Sequence, residues 1–155
     1  MRRVVLDSNA VDPIADLPGA YEVVRAAVDA GQIEILYTHI NIDELAAIPD
    51  LERRSRLLLL LADLGRLIPT GAFVLDFSRL DFARLGEDTD GTEAFRSGNV
   101  DHTRDALIAV TAEVERCALI TNERRLTGRA RERGIEVLTT TELLAELDFD
   151  GRSAA

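Results

Sequence analysis

Short runs of apolar residues alternate along this chain with longer stretches in which apolar positions recur every three or four residues. Val4-Val5-Leu6 is the first run, too short and too β-branched for a helix, and it predicts a buried strand ending at Asp7. Tyr21 to Ala30 has helical spacing and stops at Gly31, and Ile33 to Tyr37 follows as a second strand. Thr38 suits an N-cap for a helix through Ile48 that Pro49 ends. Asp50 suits the cap of the next helix, which carries the five leucines Leu57 to Leu61 and ends near Gly65. Phe73-Val74-Leu75 predicts a third strand, Ser78 a cap for a helix over Arg79 to Leu85, and Gly86 to Gly98 a loop. Asp101 to Cys117 is the strongest helix. Its apolar positions Leu107, Ile108, Val110, Ala112 and Val114 are spread widely enough to predict burial on most sides. Then come a strand over Ala118 to Thr121, a polar helix over Arg124 to Arg133, a strand over Ile135 to Leu138 and a short helix capped by Thr141.

Strands alternating with helices at this spacing predict an α/β fold, a three-layer α/β/α sandwich around a mostly parallel sheet of about four to five strands. Residues 1–150 read as a single domain and 151–155 as a flexible C-terminal tail. The 155-residue length and 46% apolar content are enough for a core without staples. The formal net charge of -10 argues against a protein that coats nucleic acid through a broad basic surface. It leaves open a site where carboxylates neutralised by a cation meet phosphate. All 18 basic residues are Arg, which removes every chemistry that needs a lysine. The single cysteine, Cys117, cannot form an internal disulfide and reads as a small core residue ahead of Ala118-Leu119-Ile120. Only three apolar residues follow Met1-Arg2-Arg3, and the leucine run is far shorter than the ~20 residues of a membrane span. A cytoplasmic location is expected.

Four acids fall beside element ends. Asp7 ends the first strand, Glu44 lies in the helix after the second, Asp105 lies early in the long helix, and Glu123 follows the strand ending at Ile120-Thr121. In a parallel sheet all four converge on the C-terminal edge, where open α/β folds place their ligands. Two unit charges about 5 Å apart repel by roughly 3 kcal/mol at an effective dielectric near 20, so such a cluster calls for protons or a cation. Oxygen ligands without grouped His or Cys favour a hard ion, Mg²⁺ or Mn²⁺, which can bind a phosphodiester and activate water. With 28 acids in the chain, chance proximity is the competing explanation.

The segments Val4-Val5-Leu6-Asp7-Ser8-Asn9, Asp43-Glu44-Leu45, Asp105 to Ala112, and Leu119-Ile120-Thr121-Asn122-Glu123 resemble, in order, the motifs of PIN domains. The resemblance runs from about Arg3 to Leu147, and Asp105 to Ala112 is its most specific part. It implies metal-dependent cleavage of RNA, most often by VapC-type toxins of toxin–antitoxin pairs. Asp7, Glu44 and Asp105 match the principal metal-binding acids. Glu123 stands where a fourth acid, usually Asp, is expected, one methylene longer. Asn9 and Thr121 match polar residues that orient the acids or the attacking water, and Ser8 fits the small hydroxyl position. The resemblance also implies a small antitoxin partner and a homodimer.

Other features carry two readings each. Asp101 shares a helix face with Asp105, either as a further ligand or as an acid favourable to the helix N-terminus. Arg124, Arg125, Arg129, Arg131 and Arg133 either track RNA phosphates or coat a solvated helix. Leu57 to Leu61 suits a homodimer interface or a core helix. His39 and His102 receive no role, and Asp88 to Glu93 fails as a calcium loop because its Gly and Glu are at the wrong offsets. A phospho-acceptor domain is excluded by the missing lysine, and a dinucleotide-binding domain by the missing glycine-rich turn. The surviving alternative to a nuclease is a non-catalytic PIN-like module that binds RNA or protein.

Overall fold

Among the described residues, strand β1 (Arg2–Leu6) lies at the centre of a five-stranded parallel sheet, and its alternating side chains feed two separate cores. The computed structural model describes residues 1–70 and 100–147. In chain order β1 is followed by a 3-10 turn (Ser8–Ala10), α1 (Val11–Asp16), α2 (Ala20–Asp29), β2 (Ile33–Tyr37), α3 (His39–Ala46), α4 (Leu51–Leu64) and β3 (Gly65–Leu67). After these come α5 (Val100–Glu115), β4 (Ala118–Ile120), α6 (Arg124–Glu132), β5 (Val137–Leu138) and α7 (Thr140–Glu146). The strand order is β3-β2-β1-β4-β5. Successive connections therefore run outward in both directions from β1, which makes the gap between β1 and β4 the topological switch point.

Val4 and Leu6 point to one side of the sheet and pack with Val11 and Ile14 of α1, Val24 of α2, Leu57, Leu61 and Leu64 of α4, and Leu143 and Leu144 of α7. Val5 points to the other side with Leu36 and Leu119, against α5 and α6. The period of two along each strand thus yields the three-layer α/β/α architecture. All positions from Ala106 to Ala112 are buried, as expected for a helix pressed between sheet and neighbours. The leucine run divides: Leu57 and Leu61 are buried while Leu59 is 70% exposed, so the run serves the core on one face and reaches solvent on another.

Several boundaries differ from the sequence reading. Among the described residues a strand that the sequence reading did not predict, Gly65–Leu67, follows immediately after α4. The predicted strand Phe73 to Leu75, the helix capped by Ser78, the loop to Gly98 with Asp88 to Glu93, and the tail 151–155 lie outside the described residues. Gly65–Leu67 carries little strand signal because it is three residues long and opens on Gly. A Cβ at Gly65 would lie 2.8 Å from Cδ1 of Tyr37, so the glycine lets β3 pass the Tyr37 ring on β2. Helix α1, with Pro13 in its first turn where no intrahelical N–H is needed, is too short to show periodicity.

The cap of α7 is Thr139, not Thr141. Of the three threonines only Thr139 stands three residues before Glu142. Its hydroxyl accepts from the Glu142 N–H at 3.1 Å while Glu142 Oε1 accepts from the Thr139 N–H at 3.1 Å, a reciprocal capping box. Thr139→Ala is expected to lower stability by about 1 kcal/mol in urea unfolding, whereas Thr141→Ala changes it by only a few tenths.

Candidate functional site

The register of the sheet delivers the site. Leu6 pairs with Ile120, so the next residues, Asp7 and Thr121, stand side by side where the strands end. The Asp7 N–H donates to Ile120 O at 2.9 Å and the Thr121 N–H to Leu138 O at 3.0 Å, which carries the ladder one residue beyond the assigned strands. Val5 pairs with Leu36 on the other flank, bringing Thr38 and the start of α3 to the same edge. Helix α5 leads into β4, so it crosses the sheet from the C-terminal edge back to the N-terminal one. Its first turns, with Asp105, lie above the strand ends.

Asp7 is buried, at 2% exposure, and both carboxylate oxygens are engaged. Oδ1 accepts from the Ser8 N–H at 2.8 Å and Oδ2 from the Thr121 hydroxyl at 2.7 Å. The same Thr121 oxygen accepts from the Glu123 N–H at 3.2 Å, linking the first acid to the fourth through one hydroxyl. Asn41, fully buried on α3, donates to Leu6 O at 2.9 Å and to Ser8 Oγ at 3.2 Å, and accepts from the Thr38 N–H at 2.8 Å. It ties the turn bearing Asp7 to the helix bearing Glu44. The sequence reading assigned Asn41 nothing, and its only signal is its place as the third residue after the cap Thr38.

Carboxylate oxygens of Asp7, Asp105 and Glu123 all lie within 4.8 Å of one another. Glu44 stands outside that trio but lines the same cavity of about 260 Å³, together with Asn9 and Arg104. Burial raises the pKa of Asp7 above the ordinary range, against the lowering effect of the Thr121 and Ser8 hydrogen bonds. Asp105 is pushed up to about 9, first by desolvation, then by a hydrogen bond with Glu123 and by the charges of Asp7, Glu123 and Glu44. Asp105 therefore favours its protonated form near neutral pH, where the neighbouring acids need charge compensation. Thr121→Val removes the donor to Asp7 and the acceptor for Glu123, and is expected to cost about 1–3 kcal/mol in denaturant unfolding.

Asp101 and His102 belong to α5, but their side chains fall outside the described residues. His39 is buried at the start of α3. On α6, Leu126 and Ala130 face the core; Arg131 donates to Val137 O at 3.1 Å, and Arg133, at the helix end, pairs with Glu113 at 3.0 Å, so these arginines bind the chain itself. Burial pushes the Cys117 thiol up to about 11, which keeps it protonated. Arg104, unassigned by the sequence reading, lies on the cavity wall. Nothing in an arginine-only chain distinguished it from its fellows beyond its position next to Asp105.

No protein-family model and no curated protein matches the sequence. Solved structures do match. A chain of VapBC2 from Rickettsia felis, crystallised with a DNA fragment from their promoter, superposes with a TM-score of 0.58 at 16% identity, covering 88% of this chain and 98% of that one. PAE2754 from Pyrobaculum aerophilum superposes with a TM-score of 0.61 at 17% identity, covering 95% of this chain and 97% of its own. Among the described residues no helix is long and apolar enough to cross a membrane. The shared architecture, parallel sheet and layer order are those of the PIN-like α/β/α fold.

Proposed function

We propose that this chain is a Mg²⁺- or Mn²⁺-dependent endoribonuclease and the toxin of a toxin–antitoxin pair. The observation that carries the reading is the convergence of Asp7, Asp105 and Glu123 within 4.8 Å at the switch point of a PIN-like sheet. The donor set fits a hard cation. It is all carboxylate, its oxygens are close enough to share one ion with small side-chain adjustments, and the cluster retains a proton in the cation's absence.

When bound, the ion would neutralise phosphodiester oxygens and make the attacking water more acidic. The residues of the chain do the rest. Ser8 and Thr121 fix the Asp7 carboxylate in one orientation, so it meets the ion without losing side-chain freedom. Asp105, once deprotonated, would hold the ion together with Asp7 and Glu123. The sequence pattern alone favoured Glu44 as third ligand, but the trio's geometry favours Glu123 for that place. Glu44, on the same cavity wall, would take the proton of the water that attacks phosphorus in line, while the bond to the ribose oxygen breaks and solvent water protonates that leaving oxygen.

A small antitoxin that covers the site, a homodimer and a cytoplasmic location belong to this proposal. The charge of -10 favours a basic partner at long range. Induced expression in a bacterial host tests the reading: wild type should arrest growth and create new RNA ends, and Asp7→Asn should do neither. Normal growth with intact RNA under wild type would favour a non-catalytic binding module.

A further inference from the structure

Among the described residues six line the acid cavity, and they divide by chemistry. Asp7, Glu44, Asp105 and Glu123 offer only acceptor oxygens once ionised, while Asn9 and Arg104 bring donors. A guanidinium repels a cation and attracts an anion, so Arg104 gives the cavity a side whose charge preference is opposite to that of the acids.

The orientation of Asn9 is fixed by its neighbours. The Asn122 N–H donates to Asn9 Oδ1 at 3.1 Å, and a backbone N–H can only donate, so the amide oxygen must lie on that side. Asn122 Nδ2 in turn donates to Asn9 O and to Thr140 Oγ1, each at 3.2 Å. The Thr140 N–H donates back to Asn122 Oδ1 at 3.2 Å, and its hydroxyl donates to Ala10 O at 2.9 Å. The turn after β1 is thus clamped to the end of β4 and the start of α7. Asn9 Nδ2 donates to nothing among the described residues and remains as the polar group Asn9 offers the cavity it lines.

We infer that Asn9 and Arg104 form the anion side of the cavity, donating to the non-bridging oxygens of a phosphodiester whose other face meets the cation held by the acids. This rests on the nuclease reading and adds to it which residues hold the substrate phosphate. Asn9 contacts substrate, and Asn122 and Thr140 are positioning residues that act through it. Arg104 supplies the charge-assisted hydrogen bond that a guanidinium makes to phosphate.

Two substitutions separate this role from metal ligation and from plain support of the fold. Asn9→Asp keeps the acceptor for Asn122 and turns the donor into a carboxylate oxygen. Arg104→Met keeps most of the side chain and removes its charge. The probe is bis(p-nitrophenyl) phosphate, titrated calorimetrically into the Mg²⁺-loaded protein, with Mg²⁺ affinity measured separately. Each variant is expected to bind the diester about tenfold more weakly and Mg²⁺ as tightly as wild type or more so. Asn9→Ser and Arg104→Lys should recover part of the diester affinity, and they keep the question open to test where a harsher variant fails to fold. Unchanged diester affinity in the folded variants, joint loss of diester and Mg²⁺ affinity, or a wild type that does not bind the diester would overturn the inference. A wild type that binds the diester in this residue-dependent way without hydrolysing it, or any RNA, leaves the inference standing and removes the nuclease reading instead.

Discussion

Asp7→Asn is expected to fold, to melt above wild type in the absence of metal, and to lose RNA cleavage by more than about a hundredfold, the loss reached on removing merely an outer partner of a metal ligand. The swap is isosteric. The amide oxygen can still accept from the Ser8 N–H, and the amide nitrogen can donate to Thr121, whose oxygen already accepts from the Glu123 N–H. What disappears is a negative charge in a site that disfavours it, because burial raises the Asp7 pKa. The folded chain should therefore gain stability above the ordinary carboxylate range while it loses the carboxylate to which the proposed function gives the metal. Gain of stability with loss of function is the expected signature of a residue kept for chemistry. Circular dichroism melts in EDTA, alongside RNA cleavage in Mg²⁺, measure both halves. A variant that melts below wild type would place Asp7 among residues kept for the fold.

The second large effect links pH and metal. Asp105 titrates at about 9 in the folded chain, against an ordinary value of 3.8, and Asp7 is raised in the same direction. Between those values the folded state binds more protons than the unfolded state, so stability falls as pH rises. The contribution is fully present below the ordinary carboxylate range and is lost as pH climbs through the folded value near 9. The metal-free protein should thus melt progressively lower from about pH 5 to about pH 9, and Asp105→Asn should flatten that slope. Mg²⁺ competes with the retained proton, so its stabilisation should grow with pH. At about a hundredfold excess over Kd it adds roughly 2.7 kcal/mol. For a chain of this size that is a rise in Tm of about 5–10 °C, and a smaller one near pH 6. Thermal melts across pH, with EDTA or Mg²⁺, check the sign. A metal-free melting point that climbs toward pH 9 would contradict it.

The legible parts of the sequence were those where one residue type has one physical meaning. Val4 to Leu6 and Ile33 to Tyr37 could only be strands, and Thr38 and Asp50 cap the helices they precede. The convergence of Asp7, Asp105 and Glu123 follows from parallel strands in register, since Leu6 opposite Ile120 sets Asp7 beside Thr121. Elements that draw their stability from neighbours were not legible. Strand β3 exists because β2 is beside it, and α1 because α2 and α4 enclose it. Motif position put Glu44 beside Asp7 and Asp105, while the closest carboxylate oxygens belong to Asp7, Asp105 and Glu123. The extra methylene of Glu123 extends its carboxylate from the end of β4 to Asp105, a reach that sequence spacing does not display. Asn41, Asn122 and Arg104 were missed because polar side chains that work through geometry look in sequence like any surface residue.

The claim that the acid cavity cuts RNA with a divalent metal has one most direct measurement. Purified wild-type protein is incubated with total bacterial RNA in Mg²⁺, in Mn²⁺ and in EDTA, beside Asp7→Asn, and the new RNA ends are sequenced. The prediction is a discrete set of new ends with wild type in Mg²⁺ or Mn²⁺, absent in EDTA and absent with Asp7→Asn. Equal cleavage in EDTA, or by Asp7→Asn, would contradict it.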